Sequence, residues 1–157
     1  MAKPSNLTYF KPEEFGGWYE DLDDSLLSKL DQLREEWGSP IHISPAAGAV
    51  GRDNDSGSQH NARPDGVVRA VDIFPEGLNA EEAREFVAMA TNIGFTGIAL
   101  YSDTQYQGAP QMMAHVDTRP SREENDPALW SRIDKEYRPI TDVLPEDYSY
   151  GGRVRLI

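Results

Sequence analysis

Residues 58–75, SQHNARPDGVVRAVDIFP, join a polar loop to a strand and decide the fold class of this chain. The loop part is rich in turn-forming residues, whereas residues 68–74 are mostly β-branched or apolar, which predicts a strand. Because side chains alternate across a strand, Val71 and Ile73 face one side and Asp72 faces the other. A carboxylate beside a hydrophobic core usually has a partner. Asp72 is therefore a candidate site residue.

Two segments have the 3.6-residue periodicity of amphipathic helices. The first is Asp24–Trp37, where leucines recur on one face and Gly38 and Pro40 follow as stop signals. The second follows Asn79, a candidate N-cap with a glutamate three positions on, and its apolar stripe ends before Gly94. Both helices are expected to pack one face on the core.

Further strands and a third helix complete the expected order of elements. The stretches that predict strands lie at residues 41–44, 68–74, 95–101 and 112–116. A short third helix is expected from Asp126, with Pro127 in its first turn. The short link between the last two strands favours a hairpin. We therefore predict an α+β fold in which a small antiparallel sheet of four strands is flanked by helices.

The composition is that of one small acidic domain. The chain has 157 residues, with 27 acidic against 15 basic side chains and a net charge of −12. Such a charge repels nucleic acid and anionic lipid, so neither is an expected partner. No apolar run approaches the roughly 20 residues that cross a bilayer, and the opening MAKPSNLTYF lacks the apolar centre of a signal peptide. We expect a protein that neither spans a membrane nor carries a signal peptide.

The end of the chain differs in composition from the rest. Residues 1–136 are expected to form the domain, and residues 137–157 an extension rich in proline, tyrosine, glycine and isolated arginine. Its apolar and aromatic side chains predict that it docks, either back onto the domain or onto a partner protein. These side chains are Tyr148, Tyr150, Val154, Leu156 and Ile157.

The chain has no cysteine, so a metal ion would need histidine or carboxylate ligands. Of the three histidines, His60 in SGSQHN and His115 in MMAHVD stand in polar surroundings, whereas His42 lies between two isoleucines and reads as a satisfied sheet histidine. Together with Asp72, His60 and His115 are a sufficient ligand set for a catalytic zinc ion. The spacing alone leaves an alternative open, in which the histidines are hydrogen-bonded structural residues and Asp72 is a turn former.

The stretch SQHNARPDGVVRAVDIFP, followed about forty residues later by AHVDTRP, resembles the zinc D-Ala-D-Ala carboxypeptidase and L-alanyl-D-glutamate endopeptidase family. The members share the hedgehog/DD-peptidase fold. Their pattern is Ser-x-His, then Ala-x-Asp, then a distant histidine on a later strand. The matching residues here are Ser58, His60, Ala70, Asp72 and His115. The resemblance implies that His60, Asp72 and His115 are zinc ligands.

Three further stretches, YFKPEEF, LDQLREEWGSPIHIS and GFTGIALY, are similar to tailed-phage members of this family. The resemblance implies a hydrolase, a zinc metallopeptidase that cleaves the D-amino-acid-containing stem peptides of peptidoglycan and so degrades the bacterial cell wall. It also implies a bacteriophage protein that acts on the host wall, as an endolysin or from the virion. The alternative is a catalytically weakened or inactive structural or binding module of a phage virion, in the tail or baseplate.

The chain departs from the family where a general base is expected. Many members carry a glutamate or aspartate three residues before the last histidine, but here that position is Met112, which cannot accept a proton. Residues two apart share a strand face, so Asp117 lies on the side of His115 and is a candidate catalytic base. The alternative role for Asp117 is to orient a histidine ligand.

The family also uses an arginine upstream of the first histidine to hold a substrate carboxylate. The corresponding stretch reads SPAAGAVGR, which makes Arg52 the candidate for this catalytic role. The alternative is a loop arginine that pairs with Asp53 or Asp55. Arg69 and Arg119 are further candidates.

Overall fold

The computed structural model describes residues 7–53 and 57–144. It begins with a 3₁₀ helix, Pro12–Asp21, and contains two α-helices, α1 (Asp24–Trp37) and α2 (Ala83–Ile93). Its strands are β1 (Ile41–Ile43), β2 (Ala70–Pro75), β3 (Gly97–Tyr101), β4 (Gln105–Tyr106), β5 (Ala109–Pro110), β6 (Met113–Asp117), β7 (Ala128–Ile133) and β8 (Glu136–Arg138). A short 3₁₀ helix, Ile140–Asp142, follows β8.

Six strands form one sheet in the order β1-β2-β6-β3-β7-β8, and β4 and β5 form a separate hairpin. Neighbouring strands of the large sheet are antiparallel, except that β3 and β7 are parallel. The predicted α+β class is confirmed. The expectation of a purely antiparallel sheet of four strands is wrong, because two later strands extend the sheet and one of them joins it in parallel.

The predicted third helix is also wrong, since the chain forms β7 where the helix was expected. In a helix, Leu129, Trp130 and Ile133 would share one face. In a strand, Leu129 and Ile133 would share one face and Trp130 would lie on the other. In the structure Leu129 and Ile133 pack against the core cluster, whereas Trp130 contacts His115. Pairing with β3 and with β8 supplies the backbone hydrogen bonds of β7. Tertiary pairing therefore overrides the local pattern here.

The two long helices follow from local sequence signals. The Asp23 carboxylate accepts a hydrogen bond from the Leu26 amide at the start of α1, and Gly38 ends the helix in the left-handed conformation. The predicted N-cap of the second helix is wrong: α2 begins after Glu82, and the Asn79 side chain accepts from the Glu82 amide in the turn that precedes the helix. Leucines of α1 and the apolar stripe of α2 are buried in one cluster with alternate residues of β2, β3 and β6. The remaining residues of these strands are left for the other face of the sheet.

The chain after β7 packs onto the same domain. β8 pairs with β7, and the side chains of Ile140, Val143 and Leu144 belong to the buried cluster. The extension expected at residues 137–157 is thus described only as far as residue 144, and its predicted apolar end lies outside the described residues. Within the described ranges, none of the helices combines the length and apolarity needed to cross a bilayer.

Candidate metal site

The sheet and one loop bring His60, Asp72 and His115 together. Asp72 on β2 and His115 on β6 are direct cross-strand partners, and His60 comes from the loop that precedes β2. One ligand atom from each residue lies within 4.8 Å of the other two, and all three residues are buried. The Asp72 Oδ1 atom is 3.2 Å from His60 Nε2 and 3.2 Å from His115 Nδ1. Two imidazole nitrogens and one carboxylate could hold a metal ion.

His60 is held by backbone groups of its own loop. Its Nδ1 lies 2.9 Å from the carbonyl oxygen of Val50, which can only accept, so Nδ1 carries a proton and Nε2 faces Asp72. The His60 amide donates to the Ser58 hydroxyl, and the His60 carbonyl accepts from the Arg52 amide. The imidazole therefore presents its Nε2 atom to the site in a fixed direction.

The loop around Val50 is itself packed tightly between β2 and the first 3₁₀ helix. The Asp72 amide donates to the carbonyl of Ala49 at 2.9 Å, which links this loop to β2. Gly51 lies against the indole of Trp18, and a Cβ at this position would collide with the ring. This close approach explains why glycine follows Val50 in the sequence.

His115 lies between two carboxylates. Its Nδ1 faces Asp72, and its Nε2 is 2.7 Å from Asp117 Oδ2. Asp117 is fully buried on the far side of the imidazole from Asp72, and its carboxylate accepts from the guanidinium and the amide of Arg119. The guanidinium of Arg119 lies over the ring of Trp130, which also contacts the ring of His115.

The pKa values of these groups follow from burial opposed by hydrogen bonding. Burial raises the pKa of Asp72, but hydrogen bonds with His115 and His60 outweigh it and hold the pKa at about 2. Burial lowers the pKa of His115, yet its bonds to Asp117 and Asp72 raise the pKa to about 9. Burial also raises the pKa of Asp117, and its bonds with His115 and Arg119 outweigh this and hold the pKa at about 2. The two carboxylates are therefore ionised at neutral pH.

A cavity of about 220 Å³ lies beside Asp72. Both Arg52 and Arg132 line it. Arg52 donates from Nε to the carbonyl of Gly48 and pairs with no carboxylate among the described residues. Of the two carboxylates expected as alternative partners of Arg52, Asp53 pairs with Arg63 instead, at 2.7 Å. The other, at position 55, lies outside the described ranges.

The other sequence candidates lie in different surroundings. Arg69 pairs with Asp65 at 2.7 Å, and Arg119 pairs with Asp117 as described above. His42 contacts the Glu76 carboxylate at 2.7 Å and stacks on the ring of Tyr106. These contacts give His42 partners of its own, outside the group formed by His60, Asp72 and His115.

Sequence reasoning missed three parts of the site. The carbonyl of Val50 is a backbone group, so no residue letter reveals its hydrogen bond to His60. The sequence pattern predicts a helix at Trp130, although alternation along β7 places it in the row of the sheet that contains Asp72, His115 and Ala99. Arg132 follows two positions later and lies on the same face. The two-residue alternation of a strand is the sequence signal that could have identified both residues.

Comparisons with protein-family models, with curated proteins and with solved structures found no match for this chain.

Proposed function

We propose that this chain is a zinc-dependent peptidase that cleaves the D-amino-acid-containing stem peptides of peptidoglycan. The observation that carries the proposal is the convergence of His60, Asp72 and His115 beside a cavity lined by Arg52. The substrate class, the hedgehog/DD-peptidase fold and a bacteriophage origin rest on the sequence resemblance. The expected place of action is the host cell wall, reached by a free endolysin or from the virion.

The donor set fits zinc better than it fits a hard cation. Calcium and magnesium prefer sites made of oxygen ligands, whereas two imidazole nitrogens and one carboxylate suit zinc and leave a fourth position open. Both histidines also have partners on their other nitrogen, the Val50 carbonyl and Asp117, as zinc-ligating histidines usually do. A bound zinc ion would polarise a carbonyl group and lower the pKa of a water molecule at this site.

The residues around the cavity could bind a peptide, but few of their groups could transfer a proton. The guanidinium of Arg52 would receive a carboxylate of the peptide in the cavity beside Asp72. Among the described residues that line this cavity, Asp72 is the one carboxylate, and Asp117 is buried behind His115. General acid–base help is typically worth ~10²–10⁴ in rate, so we expect cleavage to be slow.

A second candidate function is a structural or binding module of a phage virion that keeps the metal and has lost catalysis. The position that carries the base in many members is Met112, and the described lining of the cavity supplies no replacement carboxylate. This candidate predicts metal binding without peptide cleavage and the presence of the protein in purified particles.

Purified cell wall with intact stem peptides provides the test between these functions. Zinc-loaded wild type is expected to release new amino groups slowly, and His60→Ala is expected to release none above the blank. No release by the zinc-loaded wild type would contradict the peptidase. Detection of the chain in purified particles by mass spectrometry would then favour the structural module.

Zinc affinity is expected to rise with pH. The pKa of His115 is raised to about 9, so below that pH the histidine holds a proton that it must lose to become a ligand. Asp72 has a pKa of about 2 and is already ionised over the same range. We expect a gain of about tenfold in apparent affinity per pH unit between about pH 6.5 and about pH 8.5. Competition titrations against a chelator, corrected for the chelator's own protonation, measure this slope, and a flat profile would contradict it.

A further inference from the structure

The far side of the His115 ring is closed by a carboxylate that solvent does not reach. Asp117 is 0% exposed, and its Oδ2 lies 2.7 Å from His115 Nε2. A group that accepts and releases substrate protons needs access to the cavity. Asp117 does not line the cavity beside Asp72. Among the described residues, the titratable groups that contact the Asp117 carboxylate are the His115 ring on the side of the site and the Arg119 guanidinium on the other side.

The sheet provides a slot for this carboxylate. The cross-strand partners of Asp117 are Ala70 on β2 and Gly97 on β3. Alanine has the smallest side chain, and glycine has none. A Cβ at Gly97 would collide with both carboxylate oxygens of Asp117. The missing side chain at Gly97 therefore leaves the space that the carboxylate occupies.

Arg119 and Trp130 hold the Asp117 carboxylate and the His115 ring in place. Arg119 donates to the Asp117 carboxylate from Nε at 3.0 Å, from Nη2 at 2.6 Å and from its backbone amide at 3.1 Å. The same guanidinium lies 4.9 Å from the centre of the Trp130 ring, whose centre is 5.1 Å from that of the His115 ring. The charge of the buried carboxylate is thus neutralised, and the imidazole is contacted by both the Asp117 carboxylate and the Trp130 ring.

We propose that Asp117 is a positioning residue that sets the metal affinity of the site through His115. The carboxylate can only accept, so it keeps a proton on Nε2 and leaves Nδ1, on the side of Asp72, as the nitrogen that would bind the metal. This inference rests on the proposed metal site, and of the two roles that the sequence leaves open for Asp117, general base or orienting residue, it adopts the second. Arg119 and Gly97 act through Asp117, by holding the carboxylate and by leaving room for it.

The near-isosteric variant Asp117→Asn tests the proposal. Its amide group would present a donor either to Arg119 or to His115, and in the second case Nδ1 would carry the proton and lose its lone pair. Outer partners of ligating histidines typically contribute 10–100-fold in affinity, and we expect zinc binding to weaken by about this factor in competition titrations. The visible spectrum of the cobalt-substituted protein is expected to change as well.

Asp103→Asn is the matched control. Asp103 also accepts from an arginine, Arg132, through Nε and Nη2, and its Oδ2 accepts from the Lys135 amide. The chemical change is the same, but Asp103 does not contact the His115 ring, so we expect the zinc affinity and the cobalt spectrum of wild type. Arg119→Gln keeps the carboxylate, and its zinc affinity is expected between those of wild type and Asp117→Asn.

The zinc affinities and cobalt spectra of these variants decide whether Asp117 positions His115. Wild-type zinc affinity and cobalt spectrum in Asp117→Asn, with or without a loss of turnover, would overturn the positioning role. An equal loss of affinity in Asp103→Asn would show a general effect of lost stability and would overturn it too. If Asp117→Asn does not fold, Arg119→Gln decides by the same two readouts. Failure of the wild type to bind zinc or cobalt would instead refute the metal site on which the inference rests.

Discussion

His60→Ala is expected to weaken zinc binding by at least about 100-fold, because it removes one of three protein ligands. The remaining pair, Asp72 and His115, offers one carboxylate and one imidazole, which is fewer than the three protein ligands of a catalytic zinc site. His115→Ala should have an effect of the same size. Elemental analysis after gel filtration should find about one zinc per chain in wild type and little in either variant.

His42→Ala is the matched control for these two variants. It removes the third histidine of the chain, which contacts Glu76 and Tyr106 rather than the site. We expect full zinc occupancy in this variant. Full occupancy in His60→Ala and His115→Ala as well would show that these residues are not the ligands.

Truncation after Pro139 is expected to destabilise the domain severely. It removes the buried side chains of Ile140, Val143 and Leu144, and burial of each such side chain contributes about 1.5–3 kcal/mol. The sum for the three side chains, roughly 4.5–9 kcal/mol, is of the order of the whole stability of a small domain. Thermal unfolding should show a large loss of melting temperature or no cooperative transition.

Truncation after Leu144 is the comparison that isolates these three residues. Both variants lack residues 145–157, and only the shorter one lacks the buried side chains. The difference in melting temperature between the two variants therefore measures the contribution of residues 140–144. Equal melting temperatures would contradict the packing described for this segment.

Much of the helical layer could be predicted because its signals are local. The leucine stripe of α1, its Asp23 cap and the terminating Gly38 all lie within one stretch of chain. The strand pairing could not be read in the same way, since β7 lies beside β3 in space but about thirty residues away in sequence. Without knowledge of that partner, the residues after Pro127 fit a helix as well as a strand.

The candidate ligands could be predicted from residue type and from alternation along a strand. Asp72 and His115 point away from the apolar side of their strands, and the structure makes them cross-strand partners. The surroundings of the ligands could not be predicted. The Val50 carbonyl is a backbone group, the slot for Asp117 depends on the register with Gly97, and the burial of Asp117 depends on both neighbouring strands.

Anomalous scattering at the zinc edge, from a crystal of the zinc-loaded protein, would show directly whether His60, Asp72 and His115 hold the ion. We expect one anomalous peak per chain, at about 2.0–2.2 Å from His60 Nε2, His115 Nδ1 and an oxygen of Asp72. A peak on other residues, or no peak at this cluster in a protein shown to be fully zinc-loaded, would contradict it.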